Sequence, residues 1–339
     1  MANNVSVGVV GCGYWGSKLL PKFVANPHCQ VRMACDLDPR LRASVNLQFP
    51  GLATIDSYDD LLSDGAVTVV VLATPPATHY TLARKALEAG KHLWIEKPLA
   101  TSLAEGRELV QMAQEKGRVL FVDHTFLYDP LVQRIRRLIA DGELGDIYHV
   151  YFQRLNLGRI KRDSNVWWNS APHDVSLLLY LSSGQPTSVT LHGYRYLQSQ
   201  VEDLNMGVIE MSGGASAFIY HNWLFPENTA KLTVVGSRKL LTYEGKFDKR
   251  AVTVCEYAVD HQYRSGSELP TTIPSRFTRQ YNVDDVPNAE PLTSAAEDFI
   301  GSIREARTPL SDGNLALQVL AVLEAGETSL RGGGSKVLL

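Results

Sequence analysis

The chain is 339 residues long and carries 36 acidic against 33 basic residues, a formal charge of −3. That length suits two domains, each able to bury a core without disulfide staples, and the near-neutral balance supplies no broad positive field for nucleic acid or an anionic membrane surface. Purely apolar runs such as Val69 to Ala73 fall far short of the ~20 residues a membrane helix needs. Met1 to Asn4 leads directly into Val5 to Val10 without a basic and apolar leader, so a soluble, cytoplasmic protein is expected.

Val5 to Val10 reads as a buried strand, Tyr14 to Ala25 as a helix, Gln30 to Cys35 as a second strand and Arg40 to Gln48 as a second helix. Gly11-Cys12-Gly13-Tyr14-Trp15-Gly16 sits between the first strand and its helix, the context in which a G-x-G-x-x-G run has a mechanism. Gly11 permits the tight turn, Gly13 lets the backbone approach a pyrophosphate, and Gly16 allows helix and strand to pack closely, with the phosphates on the helix N-terminus. Asp36 ends the second strand twenty residues after Gly16, where a carboxylate accepts from ribose hydroxyls and repels a 2′-phosphate. NAD is therefore the expected cofactor, held by residues 11 to 16 with Asp36 and Arg40, and NADP stays open because Arg40 or Arg32 would offset Asp36. The plain alternative is a glycine turn with an Asp that caps the helix beginning near Pro39.

Val67 to Ala73 is a strongly apolar strand, Ala77 to Ala89 a helix stopped by Gly90, and His92 to Ile95 a further strand. Ser102 to Lys116 reads as a helix with its N-cap at Thr101 or Ser102 and Glu105 three residues on, followed by a strand over Val119 to Val122 and a helix over Pro130 to Ala140. From about residue 146 the pattern changes. Asp146 to Asn156, Thr187 to Leu197, Leu204 to Met211, Ala215 to Phe225 and Lys231 to Val235 are β-branched and aromatic runs, with Ser212-Gly213-Gly214 as a hairpin turn and one clear helix at Ala171 to Leu181. No element is assigned from about 260 to 290. Helices over Thr293 to Glu305 and Leu315 to Leu330 precede Gly332 to Gly334, where the tail should fray.

The fold class is thus α/β: a Rossmann dinucleotide-binding domain over 1–122, then an α/β domain over 123–339 with a large open, mainly antiparallel sheet. Cys12, Cys29, Cys35 and Cys255 follow no zinc spacing and read as reduced thiols, and no metal site is evident.

Ala73-Thr74-Pro75-Pro76-Ala77-Thr78-His79, then Glu96-Lys97-Pro98, then Pro172-His173-Asp174, in this order and with the glycine loop, resembles the glucose-fructose oxidoreductase, inositol dehydrogenase and rhizopine-catabolism (Gfo/Idh/MocA) family across nearly the whole chain. The resemblance implies a lysine, Lys97, beside the nicotinamide and the substrate hydroxyl, often ahead of a cis proline, here Pro98. It implies that Thr74, Pro75, Pro76 and His79, with Glu96 and Lys97, line the cofactor groove, and that the open sheet serves as an oligomer interface, giving a homodimer or homotetramer. Chemistry supports Lys97 independently: oxidising a secondary alcohol needs a base for the hydroxyl proton and a cation for the developing alkoxide, and the carboxyl end of a parallel strand is where such sheets bind ligands. Its plain alternative is a surface lysine paired with Glu96.

In many family members an Asp and a His four residues apart act as relay and proton acceptor; here the positions are Asn169 and His173. A neutral amide orients an imidazole but does not stabilise the imidazolium as a carboxylate would, and Asp174 points about 100° away from His173 on a helix. His124 and Trp168 are further substrate candidates, each equally well explained by packing. Tyr128, Arg154 and Asn156 lie near the expected crevice without an assigned contact. The N-V-x-W and A-P-H-D runs look most like members acting on free or nucleotide-linked sugars at C3. An inositol or polyol dehydrogenase is the alternative, and a non-catalytic regulator that senses dinucleotide and sugar is the alternative of another class.

Overall fold

The computed structural model describes residues 5–157, 164–246, 249–259 and 275–339. In chain order the elements begin with β1 (Val5–Val10), α1 (Gly16–Ala25), β2 (Cys29–Cys35), α2 (Pro39–Gln48), β3 (Ala53–Ile55), α3 (Tyr58–Ser63), β4 (Val69–Leu72), α4 (Pro76–Glu88), β5 (His92–Ile95), α5 (Leu103–Glu115) and β6 (Leu120–Val122). After a 3-10 turn at Thr125–Tyr128 come α6 (Pro130–Ala140), β7 (Ile147–Leu157), α7 (Val166–Leu181), β8 (Pro186–Tyr194), β9 (Leu204–Met211), β10 (Ser216–Asn222) and β11 (Leu224–Gly236). The remainder is β12 (Lys239–Lys246), β13 (Lys249–Val259), β14 (Ser275–Asn282), α8 (Pro291–Glu305), α9 (Gly313–Arg331) and β15 (Val337–Leu338).

The chain divides into two units, Met1–Tyr128 with Ala289–Ala321, and Asp129–Asn288 with Val322–Leu339. In the first, six parallel strands run in the order β3-β2-β1-β4-β5-β6, the order of dinucleotide-binding sheets, which reverses direction between β1 and β4. Val69, Val70, Val71 and Leu72 are all fully buried, as a strand covered on both faces requires. The two adjacent strands at the reversal lead into the glycine loop and the T-P-P loop, so the topology brings those loops together. Ser102 caps α5 by accepting from the Glu105 N–H at 3.2 Å, and Glu105 Oε2 reaches back to accept from the N–H and hydroxyl of Thr101, a capping box displaced by one residue.

This grouping differs from the 1–122 and 123–339 division read from the sequence. The reason is an aromatic cluster on β5 and β6: Trp94 stacks on Phe121 at 4.2 Å, and Phe299 of α8 closes it at 5.6 Å from Trp94 and 5.5 Å from Phe121. Within residues 1–122 Phe23 of α1 meets Trp94 edge to face at 5.3 Å, and α8 and the first part of α9 return from the far end of the sequence to complete the cover. The return is fixed at Ser311, whose hydroxyl donates to Val122 O at 2.5 Å and whose carbonyl accepts the Val122 N–H at 3.1 Å.

In the second unit nine strands run β14-β13-β12-β11-β7-β10-β9-β8-β15, and among these only the β7–β10 pair is parallel. One row across the sheet, Val189, Ile209, Ala217, Val150, Val234, Leu241 and Val254, is buried throughout. The next row, Thr190, Val208, Phe218, Tyr151, Thr233, Thr242 and Thr253, faces the other way and carries no charge. The period of two makes one face core and leaves the other uncovered within this unit.

Three differences from the sequence reading have local causes. α7 begins at Val166, not Ala171, because Asn165 caps it by accepting from the Trp168 N–H at 3.0 Å and Pro172 is carried inside the helix. The run Ala215 to Phe225 is broken where the Trp223 N–H turns to donate to Asp203 O at 2.9 Å. The tail does not fray: Gly333 and Gly334, at φ 67° and 88°, turn the chain so that β15 pairs with β8, and the Leu339 N–H donates to Thr187 O at 3.0 Å. Among the described residues no helix is long and apolar enough to cross a membrane, no group of three or more His, Cys, Asp or Glu is placed to hold a metal, and the four cysteines are free.

Candidate active site

The glycine loop has the geometry that dinucleotide binding asks of it. Gly11 stands at φ +88°, and a Cβ there would lie 2.7 Å from Ala73 O. A Cβ on Gly16 would lie 1.8 Å from Gly11 O, whereas one on Gly13 would meet nothing within 4 Å. Gly11 and Gly16 are therefore glycines for packing, and Gly13 opens a cradle that a pyrophosphate can fill. No side chain caps α1 and no acidic residue sits in its first turn, which leaves the helix N-terminus to an anion. Tyr14 and Trp15 meet edge to face at 5.4 Å beside it, with Lys18 Nζ 4.9 Å from the Tyr14 ring centre. Gly16→Ala is expected to displace the loop and weaken NADH binding about 5- to 150-fold, the factor equivalent to an overpacking cost of about 1–3 kcal/mol. Fluorescence titration with NADH checks this, and unchanged affinity contradicts it.

Asp36 is not a helix cap. Asp38 caps α2 by accepting from the Arg40 N–H at 2.8 Å, while Asp36 accepts from the Cys12 N–H at 2.7 Å and the Asp38 N–H at 2.8 Å. The carboxylate thus ties the end of β2 to the glycine loop, and its remaining lone pairs can take ribose hydroxyls. Arg40 is turned to Asp38 at 2.7 Å and is otherwise in solvent. Arg42, not singled out from the sequence, donates to Asp36 O at 2.6 Å. Burial, reinforced by Asp36 and Cys35, pushes the Cys12 thiol up to about 12, and burial also raises Cys29 and Cys35, so these thiols are inert.

The E-K-P loop leaves the carboxyl end of β5, and the Lys97–Pro98 peptide is cis. His79 does not line a groove. It is fully buried, with Nδ1 2.7 Å from Pro98 O and Nε2 2.9 Å from Thr74 O, a strut between the T-P-P and E-K-P loops. The two carbonyls favour a charged ring, but burial outweighs them and holds the imidazole below its usual range. Glu96 is likewise buried and hydrogen-bonded to Asp123, so it is withdrawn from solvent. Asp123, which the sequence reading passed over, extends β6 by donating its N–H to Ile95 O at 2.8 Å. Its position one strand over from Glu96 was the available signal.

His124 is 1 % exposed, and neither ring nitrogen has a hydrogen-bond partner among the described residues. Burial, then the Lys97 charge, pushes it down to about 3, so it is a neutral imidazole. Tyr128 donates to Asp298 Oδ2 at 2.7 Å, a structural contact.

In the second unit Asn169 and His173 stand four residues apart on α7 and so share one helix face, both partly exposed. Trp168 donates its indole N–H to Glu327 Oε2 at 3.2 Å and is also partly exposed. Asp174 is held elsewhere: Arg154 Nε lies 2.6 Å from Oδ1 and His221 Nε2 2.8 Å from Oδ2. Burial outweighs Asp174 and keeps His221 neutral, so Arg154 and Asp174 form the ion pair and the imidazole donates to it.

Comparison with known proteins identifies the family of both units' matched segments. The family model for the oxidoreductase family, NAD-binding Rossmann fold, matches residues 5–124, and that for the GFO/IDH/MocA C-terminal domain matches residues 132–242. The chain is 33% identical over 143 residues to dTDP-3,4-didehydro-2,6-dideoxy-alpha-D-glucose 3-reductase of Streptomyces violaceoruber, covering 42% of this chain and 41% of that one. It is 34% identical over 157 residues to the scyllo-inositol 2-dehydrogenase (NADP(+)) IolW of Bacillus subtilis, covering 45% and 42%. The chain spans about half the length of the curated relatives it matches. Among solved structures, UDP-N-acetylglucosamine 3-dehydrogenase GnnA from Acidithiobacillus ferrooxidans superposes with a TM-score of 0.81 at 22% identity, covering 98% of this chain and 99% of that one.

Proposed function

Because the chain belongs to the Gfo/Idh/MocA oxidoreductase family with its NAD-binding Rossmann fold, we propose that it oxidises or reduces a secondary alcohol of a sugar, with a nucleotide sugar at C3 as the substrate class. The observation that carries this reading is Lys97 at the carboxyl end of β5, on a loop joined by the His79 strut to the loop that follows β4 beside the glycine turn. A bound nicotinamide supplies the hydride acceptor or donor. The residues around Gly13 and Asp36 bind and orient the dinucleotide, and Asp36 favours NAD. Lys97 stabilises the negative charge that develops on the substrate oxygen, His173 takes or returns the hydroxyl proton, and Asn169 orients its ring. Trp168 offers a face for the sugar.

The C3 assignment is supported by the names of the Streptomyces reductase and the GnnA dehydrogenase, while the inositol dehydrogenase favours a polyol. A panel of UDP- and dTDP-linked sugars, 3-keto sugars and inositols, followed by nicotinamide absorbance, decides between them. Turnover of inositols alone would replace the first reading with the second, and turnover of none would remove both.

The same reading makes the protein a cytoplasmic homodimer or homotetramer joined through the uncharged outer row of the nine-stranded sheet, where Phe218 is 40% exposed. Phe218→Glu is expected to shift the mass measured by light scattering to that of the monomer. An unchanged oligomer would place the interface elsewhere.

A further inference from the structure

The amino end of α1 adjoins the cradle that Gly13 opens, and part of its backbone donor capacity is already spent. An α-helix ordinarily leaves its first four N–H groups without a partner inside the helix. Here the Ser17 N–H donates to Gly13 O at 2.9 Å and the Lys18 N–H to Trp15 O at 2.9 Å, while the Ser17 hydroxyl donates to Tyr14 O at 3.0 Å. Donors that would otherwise meet a diphosphate are thus committed within the loop, and its charge calls for a cation.

Lys18 supplies one at this place. It stands in the first turn of α1, two residues and about 3 Å of helix rise beyond Gly16, and long side chains on a helix point back toward its N-terminus. Lys18 follows that rule: Nζ lies 4.9 Å from the centre of the Tyr14 ring and 6.0 Å from that of Trp15, two residues of the glycine loop itself. The positive end of the helix dipole opposes a cation in the first turn, and no acidic residue in that turn offsets it. The ring faces offset part of the opposition and keep the ammonium over the loop. On the β2 side the arginines are turned to other partners, Arg40 to Asp38, and Arg42 to Asp36 O and Asp56.

We propose that Lys18 is a cofactor-binding residue: the Tyr14 and Trp15 rings hold its ammonium beside the uncapped start of α1, where it pairs with the diphosphate that lies against Gly13. This rests on the dinucleotide reading above and extends it, because the glycine signature assigns the diphosphate to backbone alone. A ligand that brings two negative charges accounts for a lysine at a helix start, where the dipole by itself favours an acidic or neutral side chain.

The test reads binding, not turnover. In fluorescence titration with NADH at low salt, Lys18→Met should bind about fivefold more weakly than the wild type, the factor for one exposed ion pair. The difference should shrink to within about twofold at high salt, where exposed charges are screened. Lys18→Arg keeps the charge and should stay within about twofold of the wild type. ADP-ribose, which has the diphosphate but no nicotinamide, should lose affinity by the same factor in Lys18→Met when it competes with NADH. Lys22, one turn farther along α1, pairs with Glu290; Lys22→Met removes an equal charge and should leave affinity within about twofold. Wild-type affinity in Lys18→Met at low salt, a loss seen for NADH but not for ADP-ribose, or an equal loss in Lys22→Met overturns the proposal. A wild-type protein that binds neither NADH nor ADP-ribose would instead refute the dinucleotide reading, and the role of Lys18 with it.

Discussion

Replacing Lys97 by methionine is expected to lower kcat by about 100- to 1000-fold while changing NADH affinity by less than about threefold. Methionine keeps most of the length and removes only the charge. The interaction lost is one made chiefly as negative charge develops on the substrate oxygen, so kcat and kcat/KM should fall together. The glycine cradle, Asp36 and the uncapped start of α1 do not depend on Lys97, which is why cofactor binding should survive. Wild-type turnover in Lys97→Met would refute the role; parallel loss of NADH binding would show that Lys97 serves the cofactor instead.

Asp174→Ala is expected to cost about 3–5 kcal/mol of stability, the range for breaking a buried ion pair from one side. Arg154 and His221 have side-chain exposures of 20% and 0%, and Asp174→Ala takes from the partly buried guanidinium the carboxylate that lies 2.6 Å from it. The imidazole loses its Nε2 acceptor as well. Asp174→Asn should cost less, because the amide oxygen still accepts from Arg154 and the amide N–H can donate to His221 Nε2 in its other tautomer. Urea denaturation reads the difference, and a loss below about 1 kcal/mol would mean that the cluster is relaxed by solvent.

Much of this was legible in the sequence wherever one local signal dominated. β1, β5, β9 and α6 were read to the residue, since each is a short, mainly apolar or β-branched run or a Pro-started amphipathic helix bounded by glycine or polar residues. β3 and α3 were missed because they are short and only half apolar, and are fixed by pairing with β2 and by the Ser57 cap. The return of α8 to the first sheet was illegible, because Phe299 reads as an ordinary core residue until it is seen to close the cluster of Trp94 and Phe121.

For the candidate site the motifs located the loops but not the direction of every side chain. His79 and Glu96 belong to motifs that resemble cofactor-contacting segments, yet both turn inward, one to two carbonyls and the other to Asp123. Period and spacing fix which face a residue occupies on a helix or strand; neither rule extends to loops, where buried hydrogen bonds decide. Arg154 had no assigned contact, and its role came from Asp174 twenty residues away on another element.

Transfer of deuterium from nicotinamide to sugar is the most direct test of the enzymatic reading. With NADH labelled at the transferred C4 position and a 3-keto nucleotide sugar, the expected product carries one deuterium on the former carbonyl carbon. Tight NADH binding with no label reaching any sugar or polyol, and no reverse transfer to NAD+, would instead describe a dinucleotide-binding sensor.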